Sequence, residues 1–313
     1  MNIEVQHEYR RQAKLMGSAF EFVLITDEDA GEELLNVAIG EVKRIEYLLT
    51  EFSDTSQTAL INQCSGIRPV SVDREVYDII RRSKEISAIT QGAFDITTGL
   101  LKKLYNFKGQ QLNVPDEIKL SEALKHVGYK NISLLDGHRV YLTKPGMHIG
   151  FGAIGKGYAA DKVKELLVKR GVTSGVISAS GDLTAWGSRL DGKPWKVGIA
   201  NPNDPDKTIA WIPIKNSSVA TSGDYEQYFE LDGVRYSHSI DPKTGKPVSG
   251  IKSVTVVSPN AELSDALATA VTIMGKEVGM HFIEQLPSTH CLIVTDKNEI
   301  LTSKHLTINM NIA

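Results

Sequence analysis

The sequence predicts an α+β fold, and three observations point to it. Segments with apolar residues at helical spacing bracket long runs of strand signals instead of alternating with single strands. From Val172 onward the chain is β-rich, with strand patterns at 175–180, 184–188, 195–200, 209–214, 228–231, 234–236 and 251–257. The dipeptides Asp136-Gly137 and Asp232-Gly233 each sit between short β-favouring runs, the signature of a tight antiparallel hairpin. Antiparallel sheets flanked by helices follow, not a doubly wound parallel sheet. There is no internal repeat and no linker, so residues 13–295 read as a single domain, with 1–12 and 296–313 as terminal extensions of it.

In chain order, 13–26 reads as one strand with a small break at Gly17-Ser18. Thr26 or Asp27 then caps a helix whose first turn is acidic, which suits its positive end. Leu34, Ala38, Val42, Ile45 and Leu49 form the buried stripe of that helix. A polar loop over 51–57 leads to a helical turn at 58–62. Asp73 starts a second amphipathic helix, with Val76, Ile79, Ile80, Ser83 and Ile86 inward, ending at Gln91-Gly92. Residues 94–99 form a polar, glycine-flanked corner, 110–115 a surface loop and 116–126 a short helix. The stretch 149–161, IGFGAIGKGYAAD, is punctuated by glycines and becomes helical through Arg170. Helices at 261–274 and 276–286 and strands near 291–295 and 307–311 close the chain.

The 313 residues are 41% hydrophobic and 23% charged, ordinary for a globular protein able to bury a full core. A net charge of −3 gives no reason to expect a nucleic-acid or anionic-membrane partner. Cys64 and Cys291 lack metal-ligand spacing and read as buried or half-buried thiols. No apolar segment of signal-peptide or transmembrane kind is present, so the chain as written is expected to be cytoplasmic, provided no signal or lipid-anchor segment precedes it.

The candidate chemistry lies in four places. Ser237-His238-Ser239-Ile240-Asp241-Pro242 follows a hairpin and enters a Pro/Gly turn. His238 is the leading proton-transfer residue, since imidazole titrates near neutral pH, although the same stretch also reads as a solvated turn. Asp241 either orients that ring or caps the turn. Asp265 and Thr269, four apart on one helix face, together with a glycine-loop carbonyl such as that of Ala153, offer oxygen ligands for magnesium or calcium. A helix-surface acid and a half-buried threonine are the plainer reading of that pair. Lys156 begins a helix after a glycine loop, where its charge and exposed N–H groups favour a phosphate, but the spacing is neither a P-loop nor a dinucleotide fingerprint. Asp182 and Asp224, each in a Ser-Gly-Asp corner, read as turn acids. Met16 and Phe52 suit the core or a flat ring system.

Taken in order, Met16-Gly17-Ser18, 56–62, Gly92-Ala93-Phe94-Asp95-Ile96-Thr97, 154–161, Ser180-Gly181-Asp182, Ser222-Gly223-Asp224-Tyr225, 237–242 and 265–269 resemble the FAD:protein FMN transferases, the ApbE-like flavin transferases. The resemblance spans about 13–295 and implies the ApbE-like fold. It also implies cleavage of FAD at its pyrophosphate, attachment of FMN through a phosphoester to a Thr or Ser of a target flavoprotein, release of AMP, and a need for magnesium. By position it implies that Met16, Phe52, Ala93, Phe94, Asp95, Lys156, Ser222, Asp224 and Ile240 form the FAD site. Ala153, Asp265 and Thr269 would hold Mg2+, and His238 matches the family's catalytic histidine; Asp241 joins it as a catalytic candidate on the ring-orienting reading above. Phe52 stands where the family usually has tyrosine, Gly150 where it commonly has aspartate, and Ser180 where a second glycine is usual. The chain holds no Gly/Ala/Thr-rich acceptor segment of its own, so a separate flavoprotein is the expected acceptor. The same residues would also serve an FAD pyrophosphatase, or a protein that binds FAD without chemistry.

Overall fold

The computed structural model describes residues 6–27, 30–105, 107, 114–223, 228–231 and 233–310. The chain opens with a hairpin, β1 (Gln6–Leu15) and β2 (Ser18–Asp27), paired from Gln6↔Asp27 to Leu15↔Ser18. Its turn is Met16-Gly17, both at positive φ (51° and 73°), as a two-residue hairpin turn requires. The break expected inside one strand is therefore a reversal between two. Asp27 stays in β2, and α1 (Gly31–Leu49) follows Ala30 with no side-chain cap, so the cap assigned to Thr26 or Asp27 does not form. The expected stripe of Leu34, Ala38, Val42, Ile45 and Leu49 is buried.

Next come α2 (Gln57–Gln63), capped by Ser56, then β3 (Val70–Ser71) and α3 (Arg74–Ile89). Two short helices follow: α4 (Gly99–Leu104), which has no counterpart in the sequence reading, and α5 (Glu117–Leu124), capped by Asp116. β4 (Ile132–Leu135) and β5 (Arg139–Leu142) pair as a hairpin, with β3 on the outer edge of β5. After α6 (Gly155–Lys169) come β6 (Ser174–Ala179), β7 (Asp182–Trp186), β8 (Trp195–Asn201), β9 (Asp204–Ile214) and β10 (Ser218–Gly223). β11 (Tyr228–Leu231), β12 (Val234–Ile240) and β13 (Pro247–Ser249) form a small sheet. β14 (Ile251–Ser258), α7 (Ala261–Met274), α8 (Lys276–Ile283), β15 (His290–Thr295), β16 (Ile300–Thr302) and β17 (Asn309–Met310) complete the described chain. Residues 110–113 of the expected surface loop and Asp232 of the expected hairpin turn lie outside the described residues.

Eight strands form one antiparallel sheet in the order β1-β2-β6-β7-β10-β14-β15-β16, so the α+β expectation holds. Strand alternation divides the apolar residues between two faces. Phe20, Phe22 and Leu24 of β2 join the core beneath α1, α3 and α6, while Val23 and Ile25 face the opposite layer, built on β8 and β9. Farther along the sheet, Val254 and Val256 pack under α7 and α8, and Val257 faces the β8–β9 layer. Both faces are thus covered, and the sheet is the middle of three layers. Cys291 is buried and Cys64 half-buried, both free thiols as expected. No helix among the described residues is long and apolar enough to cross a membrane.

Candidate active site

Two helices that meet at close range create the site. An ideal Cβ on Gly157, in the first turn of α6, would lie 2.2 Å from the carbonyl oxygen of Ala261, so only glycine permits this crossing with α7. One turn on, the Asp161 carboxylate accepts the backbone N–H groups of Ala261 (2.9 Å) and Glu262 (2.8 Å), capping α7 from a neighbouring helix. Burial pushes the Asp161 carboxyl up to about 6 against these two bonds. The crossing sets α7 in register so that Oδ2 of Asp265 accepts the N–H of Gly157 at 3.4 Å.

Asp265 is 6% exposed, and its carboxyl is held well above the ordinary range, first by burial and then by the negative charge of Asp182. Lys156, the second residue of α6, donates to Asp182, which is itself 2% exposed. Asp182 follows the two-residue turn Ser180-Gly181 between β6 and β7 and lines the same cleft. Reading it as a turn acid missed its partner, which lies 26 positions earlier on another element.

These groups line a cleft open to solvent, with about 120 Å3 of space for water-sized occupants. Ten of the residues chosen from sequence meet there: Ala93, Phe94, Asp95, Ala153, Lys156, Ser222, His238, Ile240, Asp265 and Thr269. His238 enters from β12, which slips register against β13 between Tyr236 and Ile240. Such an irregularity re-aims a side chain, a common device beside active sites. Asp95 ties its corner together: Oδ1 accepts the N–H and hydroxyl of Thr97 (2.8 and 2.7 Å), and Oδ2 accepts the N–H of Tyr129 (2.7 Å).

Asp241 does not join them. Its carboxylate accepts the N–H of Lys243 (2.9 Å) and the hydroxyl of Thr244 (3.1 Å), and it is not among the cleft residues. Of the two roles open to Asp241 in the sequence, the geometry gives the turn cap, and the catalytic assignment is corrected accordingly. Asp224 lies outside the described residues.

Met16 and Phe52 line an adjoining groove that shares Gly152 and Lys156 with the cleft, so the two are continuous. Phe52 is 89% exposed at that groove, an aromatic face with almost no protein against it. Glu51 lines the groove too, bonded to Nε2 of His148 at 2.5 Å. Oε1 of Glu51 would lie 2.7 Å from a Cβ on Gly150, so the glycine at that position makes room for the carboxylate of Glu51. Lys102, on α4, also lines the cleft, and nothing in its stretch LLKKLY marks it in the sequence.

The described residues contain no group of three or more His, Cys, Asp and Glu able to hold a metal ion. The donors at hand are oxygens: the Asp265 carboxylate, the Thr269 hydroxyl and the carbonyls of the Gly152-Ala153 loop. Thr272 returns its hydroxyl to the Ala268 carbonyl at 2.8 Å, as helical threonines do, whereas the Thr269 hydroxyl makes no hydrogen bond among the described residues. A hard cation that keeps water or phosphate ligands fits this set, and a thiolate- or imidazole-seeking metal does not.

The model of the ApbE family matches residues 16–293. The FAD:protein FMN transferase of Treponema pallidum is 32% identical over 95% of this chain and 87% of its own length. The ApbE protein of Thermotoga maritima superposes with a TM-score of 0.87 at 34% identity, covering 95% of this chain and 97% of that one. Pseudomonas stutzeri flavinyl transferase ApbE, in its apo form, gives the same TM-score at 27% identity and 97% coverage of both chains.

Proposed function

Since the chain belongs to the ApbE family, we propose that it is an FAD:protein FMN transferase, moving FMN from FAD to a Ser or Thr hydroxyl of a separate flavoprotein. The observation that carries the reading is one cleft holding an oxygen-donor pair, a lysine at a helix start and a histidine, continuous with a groove that presents an exposed aromatic ring. Phosphoryl-type transfer needs those parts: charge neutralisation at the phosphate oxygens, fixed orientation, and a place for the proton of the incoming hydroxyl.

Phe52 and Met16 offer the groove to the flavin ring, and the Phe94–Asp95 corner and Ile240 wall the cleft. Lys156, in the first turn of α6, faces the pyrophosphate. Mg2+ is the cation suited to Asp265, Thr269 and the Ala153 carbonyl, and when bound it would neutralise phosphate oxygens. The acceptor hydroxyl oxygen forms a bond to the phosphorus of the FMN half, and the bond from that phosphorus to the bridging oxygen breaks. AMP leaves with the electron pair, and the hydroxyl proton passes to His238. An acceptor serine or threonine in a Gly/Ala/Thr-rich segment is small enough at its flanks to enter such a cleft.

The test is intact-mass measurement of a candidate acceptor after incubation with FAD, Mg2+ and the protein. Addition of one FMN phosphoester with one AMP released per acceptor is the expected result. AMP and free FMN with an unmodified acceptor would make the protein an FAD pyrophosphatase. No AMP under any condition would remove the catalytic reading.

A further inference from the structure

We propose that Lys102 is a phosphate-binding residue of the cleft, its ammonium engaging a pyrophosphate oxygen of bound FAD. The proposal rests on the flavin-transferase reading above. Two contacts on either side of Lys102 fix the short helix α4 that carries it. Leu101 and Tyr105 are buried in a cluster with Leu120 and Ile240, so α4 packs on the strand that also carries His238. The Tyr105 hydroxyl donates to the Gly245 carbonyl at 2.8 Å, closing the clamp at the helix end. Between these anchors, Lys102 is solvent-exposed and lines the cleft with Asp265, Thr269 and Lys156.

The charges in the cleft are unevenly committed. Lys156 is paired with Asp182. Lys102 makes no hydrogen bond and no ion pair within 4 Å with any described residue, and it feels Glu51, Asp265 and Lys156 only through space. The protein packed around it lowers the affinity of its amine for the proton, while the side chain stays open to solvent in the cleft. An ammonium on the cleft wall with no direct partner is available to an arriving anion, and a charge-assisted bond to phosphate is the strong kind. The pyrophosphate of FAD brings two negative charges, and Lys156 cannot balance both while it also serves Asp182. Lys102 supplies the missing charge from α4.

Flavin-fluorescence titrations of wild type, Lys102→Met, Lys102→Gln and Lys102→Arg with FAD and with riboflavin test this, alongside Mg2+ titrations without flavin. Both neutral variants are expected to bind FAD about tenfold to a hundredfold more weakly, the range of one charged hydrogen bond. Their riboflavin affinity should stay within about twofold, Lys102→Arg should recover most of the FAD affinity, and the salt dependence of FAD binding should weaken in the neutral variants. Unchanged FAD affinity overturns the proposal. If Mg2+ affinity then rises, Lys102 is a counter-ion that the cation displaces from beside Asp265. An equal loss for FAD and riboflavin also overturns it, since the lysine would then be shaping the cleft. A wild-type protein that binds no FAD fails the parent reading itself, whatever the variants do.

Discussion

The backbone N–H of Gly157 donates to Oδ2 of Asp265 across the crossing of α6 and α7, 108 positions apart in the chain. That bond exists only because the helices approach until the Ala261 carbonyl fills the space of a side chain at 157. Gly157→Ala should therefore lower unfolding free energy by about 1–3 kcal/mol, the range for overpacking a filled interface. Gly40→Ala is the matched contrast, since a Cβ there meets nothing within 4 Å in the middle of α1. It should stabilise by roughly 0.5–1 kcal/mol. Urea unfolding of both variants measures the two effects, and equal shifts would deny the close crossing.

Asp265 carries a second expectation. Burial and Asp182 hold its carboxyl above the ordinary range, so in the absence of a cation it keeps a proton that a cation must displace. Mg2+ affinity measured without FAD should rise with pH through neutrality, and calorimetry in buffers of different ionisation enthalpy should register proton release. Asp265→Ala should bind Mg2+ weakly at every pH, lose transfer and keep its fold. Full activity of the wild type in excess chelator would end the metal assignment.

Asp161 should make stability depend on pH in an unusual direction. Its folded value of about 6 exceeds the ordinary 3.8, so the folded protein holds this proton more tightly than the unfolded chain. The contribution is complete below about pH 4 and is lost as pH rises to 6. Asp161→Asn cannot titrate, yet its amide oxygen keeps an acceptor for α7. Wild-type stability minus that of Asp161→Asn should fall by up to about 3 kcal/mol from pH 4 to 7. Parallel stability curves in urea across that range would contradict it.

His238→Ala separates a proton-transfer role from a bracing one. Loss of a positioned general base costs roughly a hundredfold to ten-thousandfold in rate. FAD affinity should stay within a few fold, because Lys156, the Phe94–Asp95 corner and the Asp265–Thr269 pair are untouched. Single-turnover transfer and FAD titration on the same preparation read both quantities. A variant that binds FAD and transfers at near wild-type rate takes His238 out of the mechanism.

Where local chemistry determined local structure, the sequence was readable. The stripe from Leu34 to Leu49 and the Asp265–Thr269 spacing needed only helical periodicity, and both stand as read. β1 was not readable, because QHEYRRQAKL is an edge strand with a largely exposed face and sends only a few side chains, such as Tyr9 and Ala13, toward the core. Its signal is charge, which favours no element. Met16 hid the first turn, since a methionine at φ 51° is a conformation that its own side chain disfavours. The pairing of Lys156 with Asp182, and the place of Lys102 in the cleft, depend on elements brought together by the fold. No window of sequence contains both members of either relationship. The resemblance recovered most of the cleft lining, while Asp241, open in the sequence to orienting His238 or capping the turn, caps the turn.

The sheet order has a consequence for how the site comes into being. β2 has no neighbour on its inner side until β6 exists, so Phe20 waits for Ala179. The cleft and its groove then draw on residues from Met16 to Ile273. During synthesis from the N-terminus, the part that would grip the flavin ring emerges first and the cation ligands on α7 emerge last. Pairings this distant in sequence form slowly and late. FAD can therefore stabilise only a finished chain and cannot template an early intermediate, and a fragment ending before α7 would carry the groove without a site.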